Sequence, residues 1–369
     1  IHLAWHYDEV YHEVVRPHYT QAALTRDYFK GGWAASWEST GGPQQFSGGK
    51  GGNGFTVDDG IMTQLMYNYM AAGYKGFGLW CWSARTAGWE AGEFALLDRH
   101  NQLTERAREV GQIGQACQKY RDELWNAHKE PLVGIYTDWD NEAIWAAMSV
   151  RGRDVFKQWP IDARMGASRA LINANVPFEY VTASDLRKGL ANRYKVIYMP
   201  FIIAVAEDMM QILSDYVADG GRLVFDGPSF WYDDYGKLFK TDKGTVFEKT
   251  FGATVNDYQY AGINVPWSIE HHELKGFTLN VSPSTANVVK EYNNGLPAIT
   301  EHHFGKGTAV ILGCEASMMC FKPGNEAMEQ FLVDQLLGKY QSPYSCNDAI
   351  VYRLAAEEVD HYFIINDDE

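Results

Sequence analysis

The sequence has little positive charge and no long apolar run, and each shortage excludes a class of protein. Its 369 residues hold 32 Lys and Arg against 47 Asp and Glu, a formal net charge of −15. Nucleic-acid binding depends on clustered Lys and Arg that neutralise phosphates, so we expect no nucleic-acid partner. A membrane helix needs roughly 20 apolar residues. The longest candidate, residues 196–206, is too short and contains Pro200, so we expect no membrane partner.

Cysteine is also scarce. The five cysteines, at 81, 117, 314, 320 and 346, form neither a disulfide framework nor a zinc-ligand spacing, and we interpret them as free core thiols. The adjacent pairs His271-His272 and His302-His303 are predicted to be surface or packing residues. Neighbours on a strand point to opposite faces and cannot hold one ion together. We expect no metal and no cofactor.

Tryptophan is abundant. Twelve occur, and six of them lie in the first ninety residues, mostly at predicted strand ends. Trp33 and Trp80 are expected in a core. Trp37, Trp82 and Trp89 stand close to carboxylates, and indole rings there are suited to stacking on the apolar faces of sugars.

The rest of the chain is organised around residues 32–98. The alternation of Trp33, Ala35 and Trp37 predicts a buried strand that ends at Glu38, directly before a Gly-rich loop. A helix over 61–72 follows, with Asp58 or Asp59 as its cap and Gly73 at its end. A second strand, 76–82, leads into a loop that carries Glu90 and Glu93. Carboxylates that follow parallel strands in this way are typical of the active-site end of a β/α barrel.

These residues resemble glycoside hydrolase family 42 β-galactosidases and their relatives in the retaining barrel clan. Trp37-Glu38 followed by Gly41-Gly42-Pro43 matches the family's nucleophile glutamate at the end of the seventh strand. Gly88, Glu90, Glu93 and Asp98 have the same spacing as the family's residues that follow its eighth strand. Three positions depart from the family pattern: Cys81 and Ser83 replace arginines, and Glu93 replaces a histidine.

The resemblance implies a role for each site residue. Glu38 would be the nucleophile, Glu90 would bind sugar hydroxyls and Trp82 would form the floor of the cleft. Trp37 would also contact sugar, and Glu93 would stand in for the family's polar partner. Tyr7 or His6, at the end of a predicted strand over 1–7, would hydrogen-bond the nucleophile, and the sequence does not choose between these two residues.

The barrel predicted here is incomplete. Three strands cannot close an eight-stranded barrel, and a retaining glycosidase also needs an acid/base carboxyl group. Asn141-Glu142 matches the family's acid/base dipeptide but lies after the barrel, and we reject it. We therefore expect the acid/base glutamate, and strands one to five, in an N-terminal barrel segment of the same or another chain.

From residue 127 the pattern changes to alternating strands and helices, which predicts a doubly wound parallel sheet covered on both faces. The fold class is thus α/β. Residues 1–126 are the last strands and helices of a TIM barrel, 127–343 a flavodoxin- or amidotransferase-like domain, and 344–369 the beginning of a small β domain. The middle domain resembles the family's trimerisation domain, which implies a homotrimer. Asp138 and Asp226 end strands there, but no Cys or His partner accompanies them, and we predict no catalytic role.

The resemblance favours a retaining exo-β-glycosidase acting on oligosaccharides or β-glycosides, with β-galactosidase as the first choice. The altered residues near Trp82 keep β-mannosidase, or another exo-β-glycosidase, as an alternative. A second alternative is a non-catalytic carbohydrate-binding or assembly protein, in which Glu38 only binds or forms a salt bridge. The compartment, cytoplasm or periplasm, is left open.

Overall fold

A computed structural model describes residues 14–43, 57–148, 158–261 and 267–366. The chain divides into two compact units. The first holds the residues up to Glu130 together with those from Tyr344 onward, and the second runs from Pro131 to Pro343. Among the described residues, no helix is both long and apolar enough to cross a membrane.

The first unit contains four helices and one hairpin within its described ranges. These are α1 (Val15–Asp27), α2 (Asp59–Ala71), α3 (Glu105–Lys119), α4 (Arg121–Asn126) and, after the second unit in sequence, β12 (Ile350–Ala355) with β13 (Asp360–Ile365).

Helix α2 begins and ends where its sequence predicts. The Asp58 side chain accepts a hydrogen bond from the Ile61 N–H at 2.8 Å, and Gly73 follows the helix at a φ of 92°. An N-cap carboxylate satisfies an otherwise unpaired backbone donor, and glycine adopts positive φ without steric cost. Helices α3 and α4 follow each other directly and separate at Tyr120.

The two predicted strands of this unit are shorter than expected. No regular strand forms over 32–38 or 76–82; isolated parallel bridges join Ser36 to Phe77 and, just after the first segment, Thr40 to Trp80. The predicted burial is wrong at the tryptophans, since Trp33 and Trp80 are 53% and 41% exposed. The small residues between the tryptophans, 34–36, are the buried ones.

The hairpin β12–β13 groups with the first unit, whereas the sequence assigned it to the beginning of a separate β domain. Tyr352 stacks on Tyr19 of α1, with ring centroids 3.8 Å apart. His128 and Ala355 form an antiparallel bridge. The buried pair Lys129–Asp27, at 2.6 Å, fixes the end of α1 to the same region.

The second unit is built on a seven-stranded sheet in the order β2-β1-β3-β4-β11-β10-β9. Strands β1, β2, β3, β4 and β11 are parallel, and β10 and β9 continue the sheet antiparallel. The predicted parallel α/β sheet is confirmed, with two antiparallel strands added at one edge. The sheet strands are β1 (Val133–Thr137), β2 (Phe178–Thr182), β3 (Val196–Met199), β4 (Arg222–Asp226), β9 (Asn287–Glu291), β10 (Pro297–Phe304) and β11 (Gly307–Leu312).

Helices connect the parallel strands, and two small sheets complete the unit. The helices are α5 (Trp139–Met148), α6 (Trp159–Asn173), α7 (Ala183–Arg187), a 3₁₀ turn (Leu190–Arg193), α8 (Glu207–Ala218), α9 (Val246–Phe251), α10 (Ala316–Met319) and α11 (Glu326–Leu337). The small sheets pair β5 (Ala253–Ala261) with β8 (Gly276–Pro283), and β6 (Ser268–Ile269) with β7 (His272–Glu273). The core of the unit lies between the central strands and the helices, and Phe225, Phe230 and Phe251 meet edge to face within it.

Candidate active site

Glu38 lies at the end of a backbone segment that runs parallel to residues 76–81. The Gly78 N–H donates to the Ser36 carbonyl at 2.7 Å, and the Trp80 N–H donates to the Ser39 carbonyl at 2.6 Å. This pairing brings the end of the Glu38 segment beside the end of the Trp80 segment. The Glu38 side chain is exposed. An exposed carboxylate at the carboxyl end of a parallel segment is accessible to a substrate.

A buried polar network supports the backbone behind Glu38. The Ser36 hydroxyl donates to the Glu38 carbonyl at 3.1 Å and lies 3.2 Å from the Ser39 hydroxyl, which in turn bonds the phenol of Tyr69. Burial raises the pKa of Tyr69. His18 packs edge-on against Tyr69, and burial lowers its pKa to about 3. The residues that support the Glu38 backbone are therefore uncharged, and hydrogen bonds join Ser36, Ser39 and Tyr69 among them.

The glycines after Glu38 let two chain segments approach closely. A Cβ at Gly42 would come within 2.1 Å of the Ala95 carbonyl oxygen, and one at Gly41 within 2.8 Å of the Phe94 carbonyl oxygen. The Arg106 guanidinium donates to the carbonyls of both segments, to Gly41 at 2.8 Å and to Ala95 at 2.6 Å. The close approach of the two segments thus explains why the sequence motif has glycine at both 41 and 42.

Glu90 is held by two partners. Its carboxylate accepts from the Arg85 guanidinium at 2.7 Å and from the Trp80 indole N–H at 3.3 Å. Arg85 also lies over the Trp80 ring, 5.8 Å from its centroid. Sequence analysis missed Arg85, although its position five residues before Glu90 in the same loop was a usable signal. The arrangement fixes the direction of a partly exposed carboxylate.

The predicted aromatic residues are on the surface of the described structure. Trp37 is 73% exposed, Trp82 61% and Trp89 73%. Trp37 packs edge-on against Trp33, with centroids 6.3 Å apart. A peptide bond in the cis form joins Trp80 to Cys81, just before Trp82. Exposed indoles near carboxylates suit the stacking of sugar rings.

The other predicted residues divide into three cases. Glu93, which was predicted to stand in for the family's polar partner, is buried and only 4% exposed. Asp98 accepts the backbone N–H groups of His100 and Gln102, both at 2.8 Å, and these bonds lower its pKa. Asp98 therefore shapes the turn that follows the site. His6 and Tyr7 lie outside the described residues.

In the second unit the strand-end acids have partners within the protein. Asp226 is fully buried and accepts from Phe201 N–H at 2.7 Å, Tyr198 O–H at 2.8 Å and Ser317 O–H at 2.6 Å. The Asp138 carboxylate accepts from the Tyr136 phenol at 2.7 Å. These bonds tie β-strand ends to neighbouring loops. The cysteines are free, but only Cys314 and Cys320 are buried as core thiols. Cys81 and Cys117 are half-buried and Cys346 is exposed, so the expectation that all five lie in the core is wrong.

The two histidine pairs differ from each other, and one of them also differs from the sequence expectation. His302 and His303 are consecutive residues of the regular strand β10, as predicted. His271 lies in the turn before β7, so the assumption of one strand through His271 and His272 is wrong. With Glu270 they form a group whose ligand atoms all lie within 4.8 Å of one another.

Comparison with known proteins agrees with this architecture. The family model described as the β-galactosidase trimerisation domain matches residues 135–345. Gan42B, a GH42 β-galactosidase from G. stearothermophilus, superposes with a TM-score of 0.80 at 20% identity, over 99% of this chain and 53% of its own. A β-galactosidase from Bacillus circulans sp. alkalophilus superposes with a TM-score of 0.77 at 16% identity, over 94% and 52%. The fold is therefore that of the C-terminal part of a GH42-type enzyme, the last portion of a barrel followed by an α/β domain.

The chain belongs to the glycoside hydrolase family 42 β-galactosidase-like proteins that carry this trimerisation domain. Among relatives, BgaB of Geobacillus sp. (strain Y412MC61) is 25% identical over 263 residues, 69% of this chain and 38% of BgaB. GanA of Bacillus subtilis (strain 168) is 22% identical over 229 residues, 59% of this chain and 33% of GanA. The chain thus spans less than half the length of these curated relatives.

Proposed function

We propose that this protein is a retaining exo-β-glycosidase that hydrolyses terminal β-galactosides, with Glu38 as its nucleophile. The observation that carries the proposal is the position of Glu38. Its exposed carboxylate lies at the end of a parallel segment, beside the group formed by Trp80, Glu90 and Arg85. The uncharged, hydrogen-bonded side chains of Ser36, Ser39 and Tyr69 support its backbone. The named relatives are β-galactosidases, which supports this choice of sugar.

The reaction proceeds by double displacement. The Glu38 carboxylate attacks the anomeric carbon while a second glutamate, outside these 369 residues, protonates the leaving oxygen. The bond to the leaving group breaks and a glycosyl-enzyme forms on Glu38. The second glutamate then takes a proton from water, which attacks the same carbon and releases Glu38. The two carboxyl groups must lie ~5–5.5 Å apart for this mechanism.

The remaining residues bind and orient the sugar. Glu90, fixed by Arg85 and Trp80, accepts hydrogen bonds from sugar hydroxyls. Trp82 forms the floor of the cleft and Trp37 contributes a second exposed indole. Glu93 supports the loop from its buried position, and His6 or Tyr7 hydrogen-bonds the nucleophile.

The assembly in this proposal is a homotrimer of the complete protein, in which the second unit contributes to the contacts between copies. The match of a trimerisation-domain model to residues 135–345 supports it.

The test is covalent labelling of the full-length protein. It is incubated with a 2-fluoro-galactoside that carries a good leaving group, and the labelled peptide is identified by mass spectrometry. A 2-fluoro-mannoside is run in parallel. We expect a label on the peptide that holds Glu38, formed faster from the galactoside, and no label on the Glu38→Gln variant.

Glu90→Gln is the matched control, because it removes a neighbouring carboxylate but leaves the nucleophile. It should still be labelled, more slowly. A label on a different carboxylate overturns the assignment of Glu38. Absence of label from either sugar, although both bind, refutes the covalent mechanism and favours a carbohydrate-binding protein. Faster labelling by the mannoside changes the substrate to a β-mannoside.

A further inference from the structure

The turn between β6 and β7 brings three metal-ligating side chains together on the second unit. Glu270, His271 and His272 each offer one ligand atom, and these atoms all lie within 4.8 Å of one another. Glu270 has a φ of 54°, so the chain turns there and does not continue as an extended strand. The imidazole centroids of the two histidines are 4.0 Å apart. Side chains that would diverge on a strand therefore converge.

The second histidine pair gives an internal comparison. Both ring nitrogens of His302 are occupied, since Nδ1 lies 2.9 Å from the Thr250 carbonyl oxygen and Nε2 lies 3.0 Å from the Thr285 hydroxyl. Within the described ranges, no hydrogen bond from protein atoms reaches the imidazole of His271 or His272. The ring nitrogens of this pair are thus available to a ligand, whereas those of His302 are committed to the fold.

The packing of His272 limits the freedom of the site. Its ring lies 4.9 Å from the ring of Phe331 on α11, and the residue is only 9% exposed. Glu270 and His271 are exposed on the solvent side of the turn. One ligand is therefore fixed by the core, and two others can adjust around an ion that enters from solvent.

The Glu270 carboxylate already has a cationic partner, because it forms a salt bridge with Lys290. Zinc takes imidazole nitrogen and carboxylate oxygen as ligands, and these are the groups that the turn offers. Lys290 is the one cation seen on Glu270 among the described residues, and it must give way to an ion.

We propose that Glu270, His271 and His272 form a binding site for one Zn²⁺ ion, with its fourth position open to water. Imidazole with one carboxylate suits zinc, whereas magnesium and calcium prefer oxygen ligands alone. Bonds of ~2.0–2.2 Å place tetrahedral ligand atoms about 3.4 Å apart, so the three side chains need only close in from 4.8 Å. The ion clamps the turn and holds the His272 ring on α11.

The test is titration of the tag-free chain, stripped with a chelator, with ZnCl₂ by calorimetry. We expect one zinc ion per chain, and long-range ¹H–¹⁵N spectra that show shifts of two imidazoles. H271A and H272A should each weaken binding by more than the ~10–100-fold that loss of an outer-shell partner costs. Lys290→Gln should strengthen binding, because it removes the competing cation.

His303→Ala is the matched control, since it removes one exposed imidazole of the other adjacent pair and should bind zinc like the parent chain. Circular dichroism checks that each variant is folded. His271 is exposed, so H271A tests the site even where loss of His272 perturbs packing against Phe331. The proposal is overturned by no zinc binding to the parent chain, or by binding that H271A leaves unchanged.

Discussion

At the scale of single residues, burial determines the protonation state of Glu315. The residue is 4% exposed, and its Oε1 accepts the Phe277 N–H at 2.9 Å. Gly276 makes room for the other oxygen, because a Cβ there would lie 2.1 Å from Oε2. Burial, with a smaller effect of the charge on Asp226, raises the pKa of Glu315 to about 8. The acid is therefore protonated in the folded protein at neutral pH.

This raised pKa predicts that the second unit loses stability as pH rises. An unfolded Glu has a pKa of about 4.3, so the folded state binds the extra proton between that value and the folded pKa of about 8. The stabilisation is fully present below the unfolded pKa and is lost as pH rises through the folded pKa. Asp226, with its pKa raised to about 6, acts in the same direction at lower pH.

Glu315→Gln keeps the acceptor for Phe277 but cannot ionise. We expect its midpoint of thermal unfolding to fall less than that of the parent chain between pH 5 and pH 9. Over this range the parent chain should lose more unfolding free energy than E315Q. The extra loss should approach about 1.4 kcal/mol for each pKa unit between the folded and the unfolded state of Glu315. Calorimetry at several pH values measures it. Glu291→Gln, an exposed acid on β9, should follow the parent curve, and an E315Q curve parallel to the parent's contradicts the prediction.

At the scale of elements, the site depends on two segments in close contact. Residues 41–42 lie against residues 94–95, and Arg106 from α3 bonds both. The Phe94 N–H also donates to the Pro43 carbonyl at 2.8 Å. The loop that carries Glu90 is thus attached to the loop that follows Glu38 by direct backbone contacts and by the Arg106 side chain. Any side chain between these segments should separate them.

Gly42→Ala tests this contact. Its Cβ would lie 2.1 Å from a carbonyl oxygen, so we expect a loss of about 1–3 kcal/mol in unfolding free energy, as overpacking usually costs. Denaturant unfolding measures it. Gly111→Ala is the control, because Gly111 lies within α3 with no atom near its missing Cβ, and Ala there should add about 0.5–1 kcal/mol. A neutral G42A variant would show that the two segments are not in contact.

The same elements show what sequence could and could not predict. The helix α2 and its Asp58 cap were predicted because capping and periodicity are local. The exposure of Trp33 and Trp80 was not, because a strand pattern identifies apolar residues but does not show which face of the segment the protein covers. The small residues face the neighbouring segment, where a Cβ on Gly78 would meet the Trp37 carbonyl oxygen at 2.7 Å.

At the scale of the whole molecule, the α/β sheet was predictable and the site was predictable only in part. The alternation of strands and helices predicted from residue 127 onward is found in β1 to β4, because buried parallel strands are apolar throughout and therefore recognisable in the sequence. Glu38 and Glu90 were predicted as site residues from their place after the predicted strands and from the family resemblance. Arg85 was missed although it lies five residues before Glu90 in the same loop. Arg106 and Tyr69 were missed because their roles depend on contacts that sequence spacing does not encode.

The charge of the whole chain gives a last prediction for the proposed trimer. These 369 residues contribute a formal net charge of −15 to each copy, and like charges on neighbouring copies repel at low ionic strength. Salt shortens the screening length to ~10 Å at 0.1 M, which should strengthen association if apolar contacts drive it. Sedimentation velocity of the full-length protein at 20 mM and 300 mM NaCl tests this. We expect a larger trimer fraction at high salt. Dissociation by salt would show that ion pairs between copies hold the assembly together.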